Sequence, residues 1–349
     1  MLGLGSFATG SGYWAFTSTG LFVTEDPVAG WTHFPLPPGV VEKSVLSAEA
    51  TGSTDAWLVT FAGLDATPAS SPIPNSAGQE TAAYDLWHTT DAGSTWTRSS
   101  LGSALDLEGS SPPYGSASVN VGATGPASVS VAAWQNSNAS FGTLFSPAGG
   151  GTGWVATALP HFGPVVFTSS SDGWLLGGPA ATHLDATTDG GATWVPASIS
   201  LPPGVDPSTD LVTYQISQVA GGSPRLAAFA SIPSASGTAA SSSLTFYALG
   251  TTGWSRTGAI DLPDGASTAP PSVAVGDGTL VVSAAAAPTA GVELVTDAGV
   301  AATSIAFADA ADGLGVFASQ SCAGAKACTS GDHVMATSDG GATWVDVTP

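Results

Sequence analysis

Apolar residues along this chain come in short runs closed off by polar or glycine-bearing segments. Tyr13–Thr17 (YWAFT), Trp57–Phe61 (WLVTF), Ser128–Trp134, Val165–Thr168, Leu244–Ala248 and Leu280–Ala284 are rich in Val, Thr, Phe, Leu or Trp. Runs of this length and composition, bounded by turn residues, predict β-strands. No stretch repeats its apolar positions at helical spacing between recognisable caps. The pattern therefore predicts an all-β chain of many short strands.

The strands are punctuated by a repeated motif. TTDAGSTW at Thr89–Trp96, TTDGGATW at Thr187–Trp194 and TSDGGATW at Thr337–Trp344 share the form [ST]-x-D-x-G-x-T-W. The carboxylates of Asp91, Asp189 and Asp339 can accept backbone N–H groups within a turn. Gly93, Gly191 and Gly341 allow a left-handed backbone at no steric cost. Trp96, Trp194 and Trp344 offer large apolar faces. The motif reads as strand, turn, strand, with the indole as a plug. Identical residues at repeated positions point to a shared structural task rather than to catalysis or metal binding.

The motif resembles the Asp-box, or BNR, repeat of sialidases, the sortilin luminal domain, xyloglucanases and a photosystem II assembly factor. The resemblance implies that each box is the turn between the third and fourth strands of a β-propeller blade. It implies little about function, because the families that carry it do unrelated things.

Degenerate copies extend the count. Trp31 follows TEDPVAG, Trp154 follows AGGGTG and Trp254 follows LGTTG, while VTDAG at Val295–Gly299 is a box without its Trp. Seven units of about 50 residues result, close to the ~40–50-residue period of propeller repeats. STDAW, SSDGW and AADGL, upstream of the strict boxes, read as turns between first and second strands. The expectation is a single domain, 1–349, folded as a seven-bladed β-propeller of four-stranded antiparallel blades. The blades would span 1–38, 39–105, 106–160, 161–203, 204–263, 264–302 and 303–349. Six or eight blades are the alternative counts, and two stacked β-sandwiches the alternative architecture. A chain that starts with a first strand and ends with a fourth would close its ring by packing between terminal blades alone.

Composition narrows the partners. Lys and Arg number 5 against 26 Asp and Glu, a formal net charge of −21. That balance argues against nucleic acid, whose phosphates need basic contacts, and against anionic lipid. No run approaches the ~20 apolar residues that span a bilayer. Charged residues are only 9% of the chain, a surface suited to a secreted protein, including one working at low pH. Cys322 and Cys328 lie close enough for a small disulfide loop, which implies an oxidising compartment. No signal peptide is visible at the start. The expected form is a monomeric, secreted or envelope-exposed domain whose leader has been removed.

Long insertions favour the face opposite the boxes: 62–83, 231–243 and 319–332. Loops on a rigid scaffold are where binding concentrates. Candidate binding residues there are Asp65, Glu80, Tyr84, Asp85, His183, Asp332 and His333. His183 and His333 stand in register, each the same distance upstream of a box Asp. His33 and His161 read as ordinary loop residues. No metal site, cofactor or catalytic residue is assigned. A sialidase would need three convergent arginines and an Arg-Ile-Pro motif, which the placing of Arg98, Arg225 and Arg256 does not supply. The assembly factor relies on basic residues that this chain lacks. The reading is a non-catalytic module that binds carbohydrate or protein through the loop-rich face. The alternative is a glycoside hydrolase using a carboxylate pair on that face.

Overall fold

The strand runs fold locally into antiparallel sheets. The structure, a computed structural model, describes residues 3–7, 12–61, 80–107, 116–121, 129–135, 141–148, 153–177, 182–202, 204–206, 210–217, 224–232, 241–251, 253–262, 273–276, 279–282, 292–294, 296–297, 300–301, 304–309, 311–322 and 328–349. Six four-stranded sheets, each a meander with strands in chain order, occupy 3–34, 45–107, 116–159, 165–196, 211–262 and 304–346. They are called the first to fifth and the last blade. The chain is a β-propeller.

The expected count of seven blades is corrected to six. Residues 273–294 form a three-stranded sheet whose last pairing is parallel, and 296–301 form a separate two-stranded hairpin. The reason lies in the tryptophans. Trp31, Trp96, Trp154, Trp194, Trp254 and Trp344 each stand at or beside the start of a fourth strand. The VTDAG segment has no such residue, and among the described residues no fourth antiparallel strand joins that sheet.

What the indole does is visible in the core, which is a ring of layers between blades. Trp96 packs with residues of the first and second blades, Trp154 with the second and third, Trp194 with the third and fourth, and Trp254 with the fourth and fifth. Each therefore fills the gap to the preceding blade. Trp31 does the same at the seam between the first and last blades, beside Tyr13, Leu314, Val334 and Val347. Its Nε1–H donates to the Val347 carbonyl at 2.6 Å. The terminal blades close the ring by packing, and among the described residues they share no sheet.

The boxes are built alike. In the second blade the Asp91 carboxylate accepts from the Thr89 hydroxyl, the Thr95 amide and the Thr95 hydroxyl at 2.9, 2.8 and 2.6 Å. Asp189 and Asp339 repeat this arrangement with Thr187 and Thr193, and with Thr337 and Thr343. The Gly93, Gly191 and Gly341 amides donate to the preceding Thr hydroxyls at 3.0, 2.9 and 2.8 Å. These donors favour the charged form, so the Asp189 carboxyl is held down at about 2, and those of Asp91 and Asp339 are also lowered. The box turns bond to the first-to-second strand turns: the Ala92, Gly190 and Gly340 amides donate to the carbonyls of Thr54, Ser171 and Ala311. Both turn sets therefore share one face.

Candidate functional site

On the opposite face, a second strand runs into a third and each blade hands over to the next. Two of the long insertions read from sequence are shorter in the structure. In the last blade the second and third strands extend to Cys322 and from Cys328, so most of 319–332 is a paired hairpin. In the fifth blade the strands reach Ile232 and restart at Ser241. The second blade's third strand already begins at Glu80. Asp65 lies outside the described residues, as does the side chain of Glu80.

The candidate residues do not converge. Tyr84 is no surface group: it is 1% exposed and packs against Phe61 and Phe145 with ring centroids 5.9 and 6.2 Å away. Asp85 is buried and accepts from Arg98 at 2.7 Å. That guanidinium also lies 5.6 Å from the Trp87 ring. In the last blade His333 Nδ1 contacts the Asp346 carboxylate at 2.9 Å. Both pairs join a third strand to a fourth, with the acid on the third strand in one and on the fourth in the other. They support the outer part of each blade. Asp332 is exposed beside His333. These groups belong to different blades.

His183 is the exception. Its ring stacks on that of His161, with centroids 4.3 Å apart and planes 4° from parallel. His161 Nε2 lies 3.6 Å from the Asp185 carboxylate. Asp185 is 4% exposed, and its Oδ2 has no hydrogen-bond partner. The reading of His161 as an ordinary loop residue is therefore corrected. It is wedged between two glycines. A Cβ at Gly142 would meet the His161 carbonyl at 2.8 Å, and one at Gly177 would meet the His161 Cβ at 2.7 Å. A Cβ at Gly163 would meet the Leu176 carbonyl at 2.0 Å, so the chain leaving His161 also needs a bare backbone. The glycines and the buried carboxylate thus hold His161 in place, and His183 stacks on it at the edge of the loop-rich face. The pair offers flat faces and ring nitrogens that donate or accept according to tautomer.

Sequence reasoning missed two further groups. Glu49 lies on the innermost strand of the second blade, half-buried, and burial pushes its carboxyl up to about 8. On the box face, a cleft of about 500 Å³ between the first and last blades is lined by Tyr13, Glu25, Asp26, Asp309 and Asp312. Its two sides come from opposite ends of the chain, and no local motif joins them. Among the described residues no cluster of His, Cys, Asp or Glu has the geometry to hold a metal ion. No described helix is long and apolar enough to cross a membrane.

No protein-family model matches this sequence, and no curated protein matches it. Among solved structures the chain is similar to a GH74 xyloglucanase from Xanthomonas campestris, at 11% identity and TM-score 0.41, over 99% of this chain and 45% of that one. It is also similar to AofleA from Arthrobotrys oligospora, at 12% identity and TM-score 0.37, over 86% of this chain and 92% of that one. The chain spans less than half the length of the xyloglucanase.

Proposed function

We propose that this chain is a non-catalytic, extracytoplasmic binding module that takes up carbohydrate or protein through its loop-rich face. The supporting observation is the imidazole pair. His161, on the connection from the third blade to the fourth, is set by Gly142, Gly177 and Asp185, and His183 of the fourth blade stacks on it at the edge of that face. A pre-positioned polar platform loses little freedom when a ligand arrives. Asp65, Glu80 and Asp332 are retained as further contacts. The expected state is a monomer. The extracytoplasmic setting is supported by the backbone register that sets Cys322 opposite Cys328, a spacing suited to a disulfide. Mass analysis with and without reductant tests that bond; two free thiols in the protein as secreted would remove this support.

Binding is tested with a glycan array alongside a panel of glycoside substrates. The expected result is saturable binding without turnover, weakened about tenfold or more by His183→Ala, in line with the loss of a well-placed hydrogen-bonding group. Turnover of any glycoside would favour the hydrolase alternative, whose two carboxyls must stand ~5–10 Å apart. Binding indifferent to His161→Ala and His183→Ala would leave the pair a packing feature.

A further inference from the structure

We propose that the cleft between the first and last blades, on the box face, binds an organic cation bearing N–H donors, a primary ammonium or a guanidinium. It lies on the face opposite the imidazole pair and stands without it. Glu25 and Asp26 reach the cleft from the first blade's degenerate box, Asp309 and Asp312 from the last blade's first turn. None of the described residues lining it is basic. The turns fix these acids in place. Asp26 Oδ1 accepts from the Val28 and Ala29 amides at 3.0 and 3.2 Å, and Asp309 Oδ1 from the Ala311 and Asp312 amides at 2.8 and 2.7 Å. The Asp309 and Asp312 side chains also come within hydrogen-bonding reach of each other. Two carboxyls so close cannot both ionise easily: the pair holds a proton, which raises Asp312, or a positive group lies between them.

Solvated acids alone would not imply a ligand. The stronger sign is Tyr13, which lines the same cleft, is 4% exposed, and has a buried hydroxyl that lacks a well-formed hydrogen bond. The donor near it, the Ala308 amide, is shared with the Asp312 carbonyl, to which it donates at 3.0 Å. A buried phenol left unpaired is costly, and its oxygen can accept from an incoming N–H. An ammonium or guanidinium carries three to five donors spread over a wide angle, enough to serve the phenol and the carboxylates together. A bare metal ion is not favoured, since the described acids lack the geometry to hold one. Burial and the charges of Asp309 and Asp26 raise the Asp312 carboxyl. Cation binding needs it ionised, so affinity should fall as pH drops through its raised range.

The cation could be a free polyamine or a Lys or Arg side chain of a protein partner. Calorimetric titration with spermidine, and separately with a short Lys/Arg peptide, distinguishes the two. Whichever binds tighter names the source. The expected result is saturable one-site binding that weakens at least tenfold in the Asp309→Asn/Asp312→Asn double variant. Tyr13→Phe, which leaves the charge unchanged, should also weaken it. A Glu42→Gln/Asp261→Asn control removes two charges outside the cleft and should bind like the parent. Equal weakening in the control, or no saturation with either probe, would reduce the effect to diffuse attraction by a chain of net charge −21. If the double variant does not fold, unchanged affinity in Tyr13→Phe overturns the proposal.

Discussion

Ala92 holds a backbone φ of 56°, where the other two strict boxes place Gly190 at 71° and Gly340 at 72°. A left-handed conformation costs a residue with a Cβ about 1–2 kcal/mol. Glycine's extra freedom in the unfolded chain returns roughly half of that. Ala92→Gly should therefore raise stability by about 0.5–1 kcal/mol, and Gly340→Ala should lower it by a similar amount. Urea midpoints would show both, and a destabilised Ala92→Gly would mean that the turn is not strained. Glu49 yields a prediction of the opposite chemical kind. Its carboxyl is raised to about 8 by burial, so the folded state holds a proton that the unfolded chain gives up near ~4.3. Its stabilising contribution is complete below that value and is lost as pH rises through about 8. Glu49→Gln should flatten this slope and stabilise the protein at pH 8 by on the order of 1–2 kcal/mol, the half-buried site being partly screened. Parallel stability–pH curves for parent and variant would contradict it.

At the scale of the element, the box turn and its tryptophan act as one unit that locks a blade to the one before it. Gly191 shows how little room the unit has. Its φ is 88°, and a Cβ there would meet Leu144 Cδ2, on the preceding blade, at 2.2 Å. Gly191→Ala should cost on the order of 2–4 kcal/mol, combining backbone strain with overpacking. A melting temperature within a degree of the parent would refute the wedge. The three box carboxylates add an acid limit. Their lowered values mean stability that is present above the ordinary Asp range near ~3.9 and is lost as pH falls below it, for Asp189 as pH approaches about 2. A protein carrying Asp189→Asn should lose less stability than the parent across that window. These units were legible in the sequence because box chemistry is local: Thr, Asp, Gly and Trp act within one turn. The imidazole pair was not. His183 stood out for its register with His333, yet its partner is His161, seated in a slot made by glycines from two blades. Such a slot depends on tertiary packing, and Gly142 and Gly177 look like any other strand glycines in the sequence. Asp85 misled for a related reason: its Arg98 partner lies across the box turn, so a buried, paired carboxylate reads as a free acid.

For the whole molecule, the same indole logic sets both the number of blades and the closure of the ring. Counting turns gave seven units, because VTDAG keeps the box Asp and Gly. Counting indoles gives six, matching the six four-stranded sheets. The count that held follows the residue with interblade area to bury, since a turn can form a hairpin anywhere but a blade forms only where it can be wedged. The seam between the first and last blades is then the test of the assembly, because no strand is shared across it. Trp31 packs beside Val347 and donates to its carbonyl, while Tyr13 packs in the same cluster as Leu314, Val334 and Ala336. Trp31→Phe should cost about 1–1.5 kcal/mol, the worth of one hydrogen bond with the ring's bulk largely kept. Deleting residues 343–349 removes Trp344 and the last blade's fourth strand as well as the Trp31 acceptor. The loss of the Trp344 side chain alone amounts to ~3–5 kcal/mol. The truncated chain should melt well below the parent and show a larger radius of gyration by small-angle scattering as the seam parts. If it kept the parent's melting temperature and radius, the terminal blades could not be what holds the ring closed, and closure would have to rest on the five blades and the three-stranded sheet that the deletion leaves intact.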